Sequence, residues 1–143
     1  MSASNYLESG VLNHLFRTDT FSKPTTVAVA LCTGVPQDTQ NGETIPEVPN
    51  AGGYARVDLG APANADWTEV GQSNGSGIID NAAAITFPQA TSNWGMVSGV
   101  AIVDSASHGA GHVLLSAQLS TPRDIRENDT FQFATGALDL LLS

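Results

Sequence analysis

Residues 25–33 (TTVAVALCT) constrain this chain more than any other segment. In an extended chain, Val27, Val29 and Leu31 point to one side and Ala28, Ala30 and Cys32 to the other. A strand that is apolar on both faces has to be covered on both, which places it at the centre of a layered β domain. The spacing therefore predicts a central strand over 25–33.

The chain beyond it supplies partners of the right length. Residues 54–59 (YARVDL) read as a strand, as do Ile85 to Phe87, with a possible neighbour just before them. Residues 95–104 (GMVSGVAIVD) and 112–120 (HVLLSAQLS) flank the small-residue turn 105–111 and predict a β-hairpin. Alternation in its second arm points Val113, Leu115, Ala117 and Leu119 inward. Phe131 and Phe133 share one face of TFQF, and Leu138, Leu140 and Leu142 mark a last strand. Turn signals separate these runs, and residues 34–53 and 60–77 read as loops, the second containing Trp67. A long loop such as 34–53 is often functional. The fold class expected is all-β: an antiparallel β-sandwich of about 7–9 strands with one short N-terminal α-helix. No linker or repeat divides the 143 residues, so one domain spanning 1–143 is expected.

The helix belongs to the first 20 residues. Ser4 or Asn5 can cap it, and Asn5 with Glu8 has capping-box spacing. Leu7, Val11, Leu12, Leu15 and Phe16 recur at helical intervals and form an apolar face. Gly10 weakens the helix by roughly 1 kcal/mol relative to alanine. The expectation is that the helix docks through its apolar face, covering one side of the central strand.

Charge narrows the partners. Fourteen acidic residues stand against five basic ones, a net charge of −9. Arg17, Lys23, Arg56, Arg123 and Arg126 are scattered, whereas binding a phosphate backbone needs clustered cations, so no nucleic-acid partner is expected. The N-terminus lacks the basic and apolar regions of a secretory signal. No run reaches the roughly 18 apolar residues of a membrane span, so no membrane association is expected. Cys32 is the only cysteine and lies in an apolar run, the setting of a buried hydrophobe rather than a reactive thiol.

Residues suited to catalysis do not assemble into a constellation, and neither an enzyme site nor a bound cofactor is expected. His108 and His112 have metal-ligand spacing only on a helix, and here they flank Gly-Ala-Gly in a turn. Asp104, Ser105 or Ser107, and His108 are close in sequence without a nucleophile elbow. Glu43 and Glu47, and Asp124, Glu127 and Asp129, could offer oxygen ligands to calcium but lack regular ligand spacing. Residues 71–77 are glycine-rich without the lysine of a phosphate-binding loop. Interaction surfaces are the stronger expectation. Tyr6, Leu7, Val11 and Trp67 are the interface candidates: three lie on or beside the apolar helix face, and Trp67 is an aromatic in a polar loop. Trp94, before Gly95, reads instead as a core aromatic.

Several short phrases run in a familiar order along nearly the whole chain. They are NYLE at 5–8, LNHLFR at 12–17, Lys23-Pro24 before VAVALCTG, GGYAR at 52–56, ITFP at 85–88, NWG at 93–95, VAIVD at 100–104, NDTF at 128–131 and GAL at 136–138. In these the chain resembles a family of small tailed-phage structural proteins, described as tail-fibre or minor structural proteins. The resemblance implies a virion component made in the bacterial cytoplasm, with a β-sandwich core and an N-terminal helix. It also implies a choice of roles. The first is a capsid decoration or cement protein, a homo-oligomer expected to be a trimer from capsid geometry, bound to the major capsid protein on the outer shell. The second is a tail or tail-fibre module bound to tail proteins. The third, motivated by Trp67 and the long loops, is a carbohydrate-binding module on the virion. The acidic charge and small size put the capsid ahead of the tail.

Overall fold

A computed structural model describes residues 1–143. The strand expected at the centre is there, as β2 (Ala28–Cys32), and all five residues are buried. It lies in a five-stranded antiparallel sheet with β1 (Ser2–Ala3), β3 (Val57–Asp58), β7 (Gly95–Val103) and β8 (Val113–Ile125), in the order β1-β8-β7-β2-β3. A second layer holds two small sheets. One is β10-β5-β4, built from β4 (Gly71–Ser73), β5 (Ser76–Asp80) and β10 (Asp139–Leu142); the other pairs β6 (Ile85–Thr86) with β9 (Gln132–Phe133). Val29, Leu31, Val100 and Ile102 of the large sheet meet Ile85, Phe87, Phe131, Phe133, Leu138 and Leu140 in the main core. The fold is an antiparallel β-sandwich with one short N-terminal helix. Its centre is aromatic: Phe131 and Phe133 meet edge-on at 5.0 Å between ring centroids, and Phe87 meets Phe131 edge-on at 5.8 Å.

The opposite face of β2 is covered, but not by the helix. Ala28, Ala30 and Cys32 form a second cluster with Ala101, Val103, Val113 and Ile45, the last contributed by the long loop 34–53. The reason is steric. Alanine and cysteine project little, so a loop backbone can lie directly on the sheet. A Cβ on Gly99 of β7 would collide with the Gly34 carbonyl, and one on Gly42 with the carbonyl of Ala110.

Helix α1 (Asn5–Phe16) has no fully buried residue. Ser4 is the cap: its Oγ accepts the Leu7 N–H at 3.2 Å and donates to the Val113 carbonyl, which ties the helix start to β8. That arrangement takes the place of the expected Asn5–Glu8 box.

Two further departures have local causes. Residues 71–80 form a hairpin where a loop was expected through residue 77. Its two-residue turn is Asn74-Gly75, both at positive φ (50° and 83°), with Ser73 opposite Ser76. In β8, Ile102 faces Leu115 whereas Val103 faces Val113, so Leu114 is extra and the alternation slips. Val113 then belongs to the loop-covered cluster and Leu115 to the main core. A second irregularity sets Val97 opposite Arg123 and Gly99 opposite Gln118, and it carries β8 past Pro122 to Ile125, beyond its expected end at 120.

What fastens the long loop is one buried ion pair. The Arg56 side chain is fully buried and that of Glu47 is 3% exposed. Arg56 donates from Nε to Glu47 Oε1 at 2.7 Å and from Nη2 to Oε2 at 2.8 Å. It also donates to the carbonyls of Ser105 (2.9 Å), Ala110 (2.8 Å) and Gly42 (3.1 Å), so each of its five N–H groups has an acceptor. Tyr54 adds a link, donating to Glu47 at 2.8 Å while its oxygen accepts the Leu31 N–H of β2 at 3.0 Å. Burial, and then the Glu47 charge, push the Tyr54 phenol well above its ordinary value, so it stays protonated and able to donate.

Arg56→Met leaves the buried Glu47 charge without its counter-ion and three carbonyls without their donors, and is expected to lower the unfolding free energy by about 3–5 kcal/mol in urea denaturation. Adding Glu47→Gln is expected to recover part of that loss, which a double-mutant cycle would measure. Burial also pushes the Cys32 thiol up to about 12. Thiol reagents at mildly alkaline pH are expected to leave the native chain unmodified and to label it rapidly once unfolded.

Candidate functional site

The residues suited to chemistry are drawn into structural bonds. His108 Nε2 lies 2.8 Å from the Val48 carbonyl, while His112 Nδ1 lies 2.9 Å from Asp104 Oδ2. The two histidines therefore serve different partners. Ser105 Oγ accepts the Ser107 N–H, and its carbonyl is held by Arg56; neither serine hydroxyl bonds to a histidine. Glu47 is the loop anchor already described. Asp124 pairs with Arg126 at 2.9 Å in an exposed turn, where Asp129 accepts the Arg126 N–H. No three His, Cys, Asp or Glu side chains converge as metal ligands. Gly52 and Gly53, at φ 63° and 79°, bring the Gly52 carbonyl to the Trp94 indole N–H at 2.7 Å, and Trp94 is buried.

An apolar surface at the N-terminus is the feature left over. One flank of α1 carries Leu12, Leu15 and Phe16, which are 58%, 64% and 78% exposed. Leu7 is half-buried against the main core, and with Val11 and Leu12 it borders a groove of about 450 Å³ closed by Leu142 and Ser143. A second groove of about 350 Å³ starts at Leu7 and Leu142 and runs toward Val70, Ile78, Ile79 and Leu140. Leu7 and Leu142 border both, so the apolar surface is continuous from the helix to the C-terminal strand. β10 is hydrogen-bonded only to β5, which leaves its other edge open.

The interface candidates fall around this surface unevenly. Leu7 and Val11 line it. Tyr6 lies to one side, stacked on His112 at 4.0 Å between ring centroids and edge-on to Phe21 at 5.4 Å. Trp67 is half-buried against the main core and lines a groove of about 570 Å³ with Lys23 and Glu69, which adjoins the second groove through the shared Val70 and Ile79. Leu12, Leu15 and Phe16, which sequence reasoning assigned to the docked face, are the most exposed residues of the helix's apolar set. Gly10 held the clue, because Phe21 folds back over it and takes that side of the helix.

A family model described as podophage GP4 fiber I protein gp80 matches residues 2–141. The chain belongs to that family. It is a structural protein of a phage virion. No curated protein matches the chain. The family match spans α1 and both layers of the sandwich, so the exposed stripe and the open β10 edge fall inside the shared region.

The bonded edge of β10 carries a built-in repulsion. Asp139 of β10 lies directly opposite Asp80 of β5, and Asp80 Oδ1 is buried without a partner. Desolvation, and then hydrogen bonding and charge from Asp80, raise the Asp139 carboxyl above its ordinary value. The fold thus favours the protonated acid. This contribution is fully present below the ordinary carboxylate range and is lost as pH rises through the raised value. Asp139→Asn is expected to raise the thermal midpoint at neutral pH and to have a shrinking effect on acidification, followed by thermal melts across pH 3–7.

Proposed function

We propose that this chain is a non-catalytic assembly module of a podophage fibre, joined to neighbouring virion proteins through the apolar surface of α1 and β10. The carrying observation is the exposed stripe of Leu12, Leu15 and Phe16 within a chain matched to a fibre family over residues 2–141. Exposed apolar patches of this kind mark interaction sites in soluble proteins. The acidic and imidazole side chains support a structural role, because Glu47, Asp104, His108 and His112 are each engaged in holding a loop or turn.

A second reading keeps the chain on the outer capsid as a cement protein bound to the major capsid protein. The net charge of −9 favours it, since an acidic surface tolerates a position outside a DNA-filled shell. The family description gives the fibre more weight.

Quantitative mass spectrometry of purified particles, combined with gold-labelled antibody against this chain, separates the two. Tens of copies or fewer, with gold at the tail, are expected. Hundreds of copies spread over the shell would overturn the fibre reading in favour of cement.

A further inference from the structure

We propose that the groove around Trp67 is a carbohydrate site, which takes a neutral pyranose sugar with the indole as its stacking platform. This goes beyond the assembly role, because the groove draws no residue from α1 or β10.

The platform is held in place. On either side of Trp67 the chain is fastened to the end of β5 and the residues after it. The Thr68 N–H donates to the Asp80 carbonyl at 2.9 Å, and Thr68 Oγ1 accepts the Asp80 N–H at 2.9 Å. The Ala82 N–H donates to the Asp66 carbonyl at 2.8 Å. The indole packs against the main core and borders the groove beside Ile79. A ring already fixed by its own fold adds little ordering cost when a ligand stacks on it. Its polar end is free as well. Trp94 donates its indole N–H to Gly52, whereas Trp67 has no acceptor in the chain, and its nitrogen is not one of the buried polar atoms without a partner. The Trp67 N–H therefore opens to water, which gives the residue an apolar body against the core and a wet tip in the groove.

The polar side chains around the ring select the ligand. Lys23, Asn64, Thr68 and Glu69 line the same groove, and all four are exposed. Lys23 and Glu69 carry opposite charges, yet neither belongs to any ion pair of the chain. The ammonium keeps its donors and the carboxylate its acceptors. The Thr68 hydroxyl, which accepts the Asp80 N–H, still has its own proton to give, and Asn64 adds an amide that donates and accepts. A sugar hydroxyl also does both, so neighbouring hydroxyls on one ring can donate to Glu69 and accept from Lys23 while the C–H face of the ring lies on the indole. An apolar ligand would strip water from these polar groups and return nothing for it. An anionic ligand would meet the Glu69 carboxylate and approach a chain of net charge −9. A neutral sugar escapes both costs. The groove, at about 570 Å³, is within the size range of small-ligand sites.

Saturation-transfer NMR on the full chain tests the site. The neutral probes are cellotetraose, maltotetraose, mannotetraose and chitotetraose, and tetragalacturonate is the acidic one. Transfer to at least one neutral probe is expected, strongest at its ring C–H protons, with a change in tryptophan fluorescence over the same titration. Trp67→Ala is expected to weaken binding by about tenfold. Because Trp67 also packs on the core, Lys23→Gln/Glu69→Gln is the second variant. It changes only exposed side chains, so it is expected to keep the native circular dichroism spectrum and to weaken binding by about threefold to tenfold. Transfer to none of the neutral probes, a preference for tetragalacturonate, or binding that the Lys23→Gln/Glu69→Gln chain retains in full would overturn the sugar site. The measurement uses the isolated chain, so its outcome is independent of where in the virion the chain sits.

Discussion

Much of this fold hangs on the guanidinium of Arg56. It sits fully buried among five acceptors drawn from residues 42, 47, 105 and 110. Two of the acceptors are the Glu47 carboxylate oxygens, and the other three are backbone carbonyls that no secondary structure satisfies. A buried charge is tolerable only when paired and hydrogen-bonded in full, and here both conditions are met. The consequence reaches beyond the pair. The fixed loop carries Ile45 onto the alanine face of β2, and Val48 packs into the core on the other side. Without the ion pair, the central strand would lose the cover on one of its faces.

Because the loop provides that cover, the helix does not have to. α1 is held at its start by the Ser4 cap on β8 and along one side by Leu7, while Phe21 folds back over Gly10. Its longest apolar side chains are left facing water. The same division of labour leaves β10 with one bonded edge. A sandwich that completes its own core with a loop has a helix and a strand edge to spare, and these are the surfaces on which the proposed assembly role rests.

The sequence made the core legible where a single period governs it. β2 with both faces apolar, the hairpin of β7 and β8, the paired phenylalanines and the terminal leucine strand all followed from alternation. Misreadings cluster where one residue changes the period or where a polar group carries the structure. The extra Leu114 sends Val113 and Leu115 to opposite faces, which no pattern of hydrophobicity announces. The β4–β5 hairpin has an Asn-Gly turn of the most recognisable kind, but its flanks are Gly, Gln and Ser rather than alternating apolar residues. Asn81 is fully buried, bonded to the carbonyls of Ala83 and Ala134 and to the Leu138 N–H, and in sequence it looks like a loop asparagine. Arg56 and Glu47 read as ordinary surface charges, because nothing in the sequence announces that the carbonyls of Ser105 and Ala110, far along the chain, close around the Arg56 guanidinium. Of the candidate surface, Leu7 and Val11 were legible from helical spacing, whereas the exposure of Leu12, Leu15 and Phe16 depends on where Phe21 turns back.

The Arg56 anchor also sets an order of events during synthesis. Its carbonyl partners at Ser105 and Ala110 lie 49 and 54 residues downstream. A ribosome adding roughly 5–20 residues per second needs about 3–10 s to make that stretch. Through that interval the nascent chain holds a cationic side chain and an apolar strand with neither yet enclosed. The clasp can close only after the turn between β7 and β8 has left the exit tunnel. Enclosure of β2 is thus deferred until most of the polypeptide exists, which makes the domain a late and cooperative folder rather than one that builds up from its N-terminus.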